Sequence, residues 1–571
     1  MAALNELNGF KPSWLKWHIL VAVGTPIVIG IGYWYVLKRN KQIGSKDTKK
    51  EEKIKENTIH RPTVEKDFST EVKVSSPLER AQELKNSGNK LYLAKMYDDA
   101  IRCYTEAIEM CPKEEKDTLS TYYQNRAAAY EQKNILEDVI KDCTSALEYN
   151  PRYTKALQRR AKAAERNGNL EQSLQDVTAV CILENFTNNS SLITADKILK
   201  QLGRQHAKEQ MLKQKLVTPS KHFVKSYLSS FSNNPLLPLN KSHINGHVNT
   251  EIPLSELELA KEILHSGEDC IKVVKLCTSV LEDSEMDVPE ALLLRATTYI
   301  LRGQHELALD DLENIINNST CDKKIKVNAL IKRATLYIQK EQIDKCFEDF
   351  DLAEKIDPEN SDVYHHRGQV YLLLDKITES LADFKAAIER SPDFPLAVVQ
   401  HQYVEYKSAV IQGDSSRAST LLSVFKNLTE KFPQCIEVFT LYAQVLLEKQ
   451  DYEEADKQFQ RAVLIDPQNA QIRVHRGLLH LQWKGDVELA IKIINDAIAL
   501  DENCEFCYET LGSIEVQRGN LSKAIELFEK AIQLAKTELE MGHLFSLKDA
   551  AVAQKAVTEK LGINLTLPFN L

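Results

Sequence analysis

The feature that most constrains this chain is the spacing of small and aromatic residues in GNKLYLAKMYDDAIRCYTEAIEMCP, residues 88–112. Gly88 is followed by Ala100 twelve residues on, Tyr104 four further, Ala107 three further and Pro112 five further. Small residues at the first, second and fourth marks let two antiparallel helices approach closely, and the aromatic ring fills the gap between them. The proline stops the second helix. A helical hairpin of this kind cannot bury its own apolar faces, so the chain is expected to contain more of them, stacked.

The pattern recurs. A second unit, about 120–153, has Ala127, Tyr130, Val139, Cys143, Ala146 and Pro151 at matching marks, and a third, about 154–187, keeps Ala161 and Ala164. A helical stretch to about residue 210 follows, then VTPSKHFVKSYLSSFSNNPLLPLNKSHINGH. That segment is rich in Ser, Asn, Pro and His, which reads as a domain boundary over 211–253. A worn unit opens the second half at 254–282. Clearer ones then carry Ala296 and Ala308, Ala334 and Phe350, Gly368 and Phe384, Ala443 and Phe459, Gly477 and Ala490, and Gly512 and Phe528. The remainder, about 536–561, reads as a terminal helix that caps the last unit. These are the marks of the tetratricopeptide repeat, with its period of about 34 residues. The expected fold is all-α: a tetratricopeptide-repeat α-solenoid in two arrays, three repeats over 81–210 and seven or eight over 254–571.

The totals agree. A chain of 571 residues is too long for one compact core. Its net charge of −9 leaves no basic field to hold nucleic acid. The 11 cysteines lack paired spacing except Cys504 and Cys507, which have no second pair, so reduced thiols are expected and neither a metal nor a cofactor. No phosphate-binding glycine loop, zinc-protease motif or nucleophile elbow is present, and the chain does not read as an enzyme. Paired carboxylates such as Asp310 and Asp311 read as a solvated helix face.

Ahead of the repeats, residues 1–18 form a short N-terminal segment, and residues 19–37, ILVAVGTPIVIGIGYWYVL, carry no charge. As a helix they would span roughly 28 Å, near a bilayer's hydrocarbon thickness. Trp14 and Trp17 on one side and Tyr33, Trp34 and Tyr35 on the other sit where an aromatic belt would. A buried core helix and a cleaved signal peptide are the alternatives. The stretch is long for a signal peptide, and Lys38, Arg39, Lys41, Lys46, Lys49 and Lys50 follow it instead of a small-residue cleavage site. The reading is a single-pass anchor in a lipid bilayer, with the C-terminal bulk cytosolic because the heavier positive flank follows the span. Residues 38–80 read as a charged, disordered tether.

Residues at i and i+4 share one helix face, and the first helix of each repeat lines the concave wall. That face carries Lys85 and Asn89 in the first repeat, Asn125 in the second, and Lys155 and Arg159 in the third. Three cations suit a carboxylate, Arg159 best because its guanidinium can bind one bidentately, and two amides suit a peptide backbone. Each charge-assisted hydrogen bond is worth roughly 1.5–3 kcal/mol, enough in sum for micromolar binding. The concave face of the later repeats would present His365, His366, Gln369, Thr440, Gln444, His475, Leu478 and Glu509, a mixed groove for an amphipathic or apolar segment.

Lys85, Asn89, Asn125, Lys155 and Arg159 resemble, residue by residue, the two-carboxylate clamp of co-chaperone tetratricopeptide domains. That clamp holds the acidic tails of seventy- and ninety-kilodalton heat-shock chaperones. The longer turn from Lys113 to Leu119 is a departure. With the anchor, the tether, the PSKHFVKSYLSSF connector and the long second array, the whole layout resembles the large tetratricopeptide receptors of the mitochondrial outer-membrane protein translocase. The resemblance implies an import receptor at that membrane whose second array receives precursor proteins with internal targeting signals and passes them to translocase subunits. A membrane-anchored co-chaperone at another membrane, or a scaffold that never handles precursors, would share much of the layout. Deleting residues 1–40 is expected to leave a soluble protein with undiminished helical circular dichroism; aggregation would mean that the anchor and the solenoid are not independent.

Overall fold

The computed structural model describes residues 76–213, 218–237, 255–283 and 288–563. The expected anchor and nearly all of the tether lie outside them. Among the described residues no helix is long and apolar enough to cross a membrane.

The described chain is helical, and its helices pair. The first array is α1 (Pro77–Leu93) with α2 (Tyr97–Met110), α3 (Lys116–Gln132) with α4 (Leu136–Tyr149), and α5 (Thr154–Arg166) with α6 (Leu170–Leu183), continued by α7 (Asn189–Met211). A short helix, α8 (Lys221–Ser229), follows. The second array pairs α9 (Glu256–Ser266) with α10 (Cys270–Asp283), α11 (Val288–Leu301) with α12 (His305–Asn317), α13 (Lys323–Gln339) with α14 (Ile343–Ile356), and α15 (Ser361–Leu373) with α16 (Ile377–Arg390). It goes on with α17 (Pro395–Gln412) and α18 (Ser415–Lys431), α19 (Ile436–Glu448) and α20 (Tyr452–Ile465), α21 (Ala470–Lys484) and α22 (Val487–Leu500), and α23 (Glu505–Gln517) and α24 (Leu521–Leu534). The terminal helix is α25 (Glu538–Leu561), opened by a Thr537–Glu540 capping box.

Each pair is built the same way. The turn between its helices holds one residue in the left-handed region, Lys95, Asn134 and Gly168 in the first array and Gly267 through Gly519 in the second. Close approach at the small mark is real: a Cβ on Gly88 would lie 2.7 Å from the Tyr104 ring, and one on Gly512 equally near Phe528. In five of the described pairs, one position before that mark, an arginine of the first helix also forks an aspartate sixteen residues on. The pairs are Arg126–Asp142, Arg160–Asp176, Arg295–Asp311, Arg333–Asp349 and Arg367–Asp383. This corrects the reading of Asp310 and Asp311 as a solvated face. Asp310 is exposed, but Asp311 is buried and accepts both Nε–H and Nη2–H of Arg295.

The two arrays are joined. α7 packs along α25, with Ser546 Oγ donating to Leu199 O at 3.0 Å and His206 Nδ1 3.0 Å from Asp549. Ala207 of α7 belongs to the core of the last repeats, while Val557 of α25 belongs to that of the first array. The second array also comes round on itself, so that the α11–α12 turn at Gly303 abuts the main chain of Lys536. Replacing Gly203 on α7 tests the junction, because a Cβ there would sit 2.4 Å from Gly542 O and from Ser546 Oγ. Gly203→Ala should destabilise the protein by about 1–3 kcal/mol, read as a lower thermal midpoint. An unchanged midpoint would mean that the α7–α25 contact contributes nothing.

Candidate functional site

In the first array the five residues expected to form a clamp sit on α1, α3 and α5. The small mark at Gly88 lets Tyr104 reach across to α1, where its hydroxyl donates to Asn89 Oδ1 at 2.8 Å. Asn125 Nδ2 donates to the same oxygen at 3.4 Å. Two donors on Oδ1 turn the Asn89 amide nitrogen away from them, with its hydrogens left to donate elsewhere. The structure thus brings the two asparagines together. Lys85 is half-buried and Lys155 exposed, and neither ammonium has a hydrogen-bond or ion-pair partner among the described residues.

Arg159 departs from expectation. It is half-buried rather than open on the wall, with Nε donating to Glu131 Oε2 at 2.7 Å and Nη1 to Gln124 O at 3.4 Å. Glu131 and Gln124 are seven residues apart on α3 and so share a face. That spacing was the signal that sequence reasoning missed. A carboxylate ligand reaches this guanidinium only by sharing it with Glu131.

In the second array the eight residues expected along an open wall are mostly interior. His365, His366, Gln369, Thr440, Gln444, His475 and Leu478 are buried, and only Glu509 is half-buried. They lie on four helices rather than on one continuous surface. On α15, Gln369 links the set, its Nε2 3.0 Å from Gln400 Oε1 and 3.2 Å from His365 Nε2, with His366 Nδ1 3.2 Å from its Oε1. Burial pushes the His365 imidazole down to about 3, so it is neutral at physiological pH. His475 on α21 lies against the rings of Phe459 and Phe506, and Glu509 on α23 lies 3.2 Å from His543 Nε2. Three histidines spread in this way are no metal site, and no cluster of metal-ligating side chains occurs among the described residues.

What covers α15 is the segment expected to be a boundary. Residues 218–237 enter the second array: the Phe231 ring stands 4.5 Å from that of His366, and the Ser232 and Asn233 amides donate to Asp362. Beneath them lies Lys332 of α13, 0% exposed, a lysine that no sequence pattern singled out. Along one side of α8 a cleft of about 640 Å³ remains, walled by Lys225 and Ser229 and by Phe394, Leu396, Phe432 and Ile436.

Family models described as tetratricopeptide repeat match residues 361–394, 441–503 and 507–538. Mitochondrial import receptor subunit TOM70 of Rattus norvegicus is 42% identical over 568 residues, covering 96% of this chain and 93% of that protein. The Homo sapiens protein of the same name is 41% identical over 569 residues, with the same coverage. The crystal structure of yeast Tom70 aligns at 24% identity and a TM-score of 0.45, over 85% of this chain and 99% of that one. The 41–42% identity to the rat and human proteins extends through the connector and both arrays, well beyond the repeats that the family models match. The chain belongs to the family of the mitochondrial import receptor subunit TOM70, which are receptors and not enzymes.

Proposed function

We propose that this import receptor docks the acidic C-terminal tails of seventy- and ninety-kilodalton heat-shock chaperones on its first array. The second array receives precursor proteins with internal targeting signals for transfer to translocase subunits. Residues 19–37 anchor it in the mitochondrial outer membrane, facing the cytosol.

The observation that carries the first part is the Asn89–Asn125 contact flanked by unpaired ammonium groups. A tail ending in two carboxylates needs cations for the charges and amide donors for the backbone between them. Lys85 and Lys155 supply the first, and Asn89 Nδ2, turned outward by Tyr104 and Asn125, supplies the second. Arg159 adds a third cation to the extent that Glu131 yields it. The second part is supported by the cleft beside α8, where Phe394, Leu396, Phe432 and Ile436 stand among Lys225, Lys431, Glu437 and Asp466, a mixed lining that suits an amphipathic segment.

Lys85→Ala should weaken binding of an acidic chaperone tail by about tenfold or more, the loss of one charge-assisted hydrogen bond at roughly 1.5–3 kcal/mol. Amidating the tail's terminal carboxyl should weaken it comparably, and added salt should lower the affinity throughout. Isothermal titration with free-acid and amidated peptides reads all three; equal affinity for the two peptides would remove the clamp. Glu131→Gln provides an independent check. It releases Arg159 from a half-exposed ion pair worth up to about 1 kcal/mol, so tail binding should tighten by up to about fivefold. Weaker binding would place Arg159 outside the ligand's reach. For the second array, a photo-crosslinker in place of Ile436 should capture a carrier precursor.

A further inference from the structure

The connector has the pattern of a ligand. Ser220 caps α8 by accepting the Phe223 amide at 3.1 Å; Phe223, Val224, Tyr227 and Leu228 then fall on one stripe of the helix, and Phe231 follows just past its end. The last four are buried. What they bury against is the inside of the second array, reached at points far apart in sequence. Lys221 packs on Gly267, and the Phe223 ring lies 4.6 Å from Lys536 Nζ. His222 bridges Asp466 at 3.1 Å and Asn469 at 2.9 Å. At the far end Asp362 accepts the Ser232 and Asn233 amides at 2.7 and 3.1 Å, and Ser232 Oγ lies 2.6 Å from Ser361 Oγ.

The fit is poor in one respect. Tyr227 and Phe231 turn their rings onto Lys332 Nζ, at 4.9 and 4.0 Å, and Phe231 also covers His366. Neither Lys332 Nζ nor His366 Nε2 has a hydrogen-bond partner among the described residues, although both are enclosed. Buried polar groups are almost always paired, so two stranded side by side under one segment require a reason. An occupant that comes and goes supplies it: the floor keeps donors and acceptors that the resident segment leaves unused. The cleft alongside α8 opens the groove to an incoming chain next to that segment.

We propose that residues 219–237 are an internal occupant of the second array's groove, which a precursor segment displaces on binding. This rests on the reading of that groove as the precursor site. Tethered in the same chain, the occupant competes at high effective concentration, so only segments that use the floor better than it does are retained. A receptor without cargo keeps its apolar groove covered in this way, without need of another protein.

Ser232 and Ser361 offer a reversible test, because their side chains are close enough for a disulfide. The full-length S232C/S361C protein, oxidised, should bind a dye-labelled apolar segment of a carrier precursor about tenfold or more weakly than the same sample reduced. Its affinity for an acidic chaperone tail should not change. Wild type taken through the same cycle controls for the 11 native cysteines. Tyr227→Ser with Phe231→Ser loosens the occupant instead and should tighten binding of the segment without any reductant. Equal affinity in the oxidised and reduced forms, with the bond verified by mass spectrometry, overturns the proposal. So does a folded Tyr227→Ser/Phe231→Ser protein of unchanged affinity. If the Ile436 crosslinker captures precursor in wild type while either result holds, the groove reading stands and the occupant fails. If wild type captures none, the groove reading falls and the occupant falls with it.

Discussion

The arginine–aspartate fork fixes the register of five of the described hairpins, in both arrays. It crosses from the first helix of a repeat to the second at a constant separation of sixteen residues. The same guanidinium also reaches back to the preceding repeat: Arg126 to Thr105 at 2.9 Å, Arg160 to Thr144 at 2.9 Å, Arg295 to Thr278 at 3.1 Å and Arg367 to Glu354 at 2.6 Å. One side chain therefore sets the register within a hairpin and ties that hairpin to its neighbour. Stranding a buried charge of this kind costs about 3–5 kcal/mol, far more than a surface ion pair. That penalty makes slipped registers expensive, and the small-to-aromatic contact one position later reinforces the same alignment.

The fork also aims the candidate site residues. Successive positions on a helix point about 100° apart, so fixing an arginine against the second helix turns the residue before it elsewhere. Asn125, Arg159, Lys332 and His366 each immediately precede a forked arginine. The first two belong to the proposed clamp of the first array, and the last two form the floor under the connector. The two candidate sites, different in chemistry and far apart in sequence, are placed by one structural device.

Closure gives the molecule its second level of organisation. α25 does more than cover the last repeat, since it lies along α7 and reaches the core of the first array. The Gly203–Gly542 approach and the Arg152 bond to Leu561 O, at 3.3 Å, belong to that seam. Chaperone docking on the first array and precursor capture in the second would thus take place on one continuous body, and the connector lies inside it.

The repeat architecture was legible in the sequence because the marks that identify it are local. Gly88, Tyr104 and Pro112 act within one hairpin, and the helices formed where the spacing of Ala127, Ala334 or Phe528 placed them. The meeting of Asn89 and Asn125 was legible for the same reason: the two residues follow a period that stacking converts into adjacency. Other features were decided by contacts between residues tens to hundreds of positions apart, which no periodicity encodes. Arg159 was expected to be open, and its pairing with Glu131 depends on how α5 lies on α3. The composition of residues 218–237 reads as a boundary, yet Phe231 meets His366 and His222 meets Asp466 only because the superhelix curves round to enclose them. Burial of His366 and Lys332 follows from that enclosure. A sequence specifies which faces are apolar at each turn of helix; which distant surface covers a given face is settled by the curvature accumulated over a whole array.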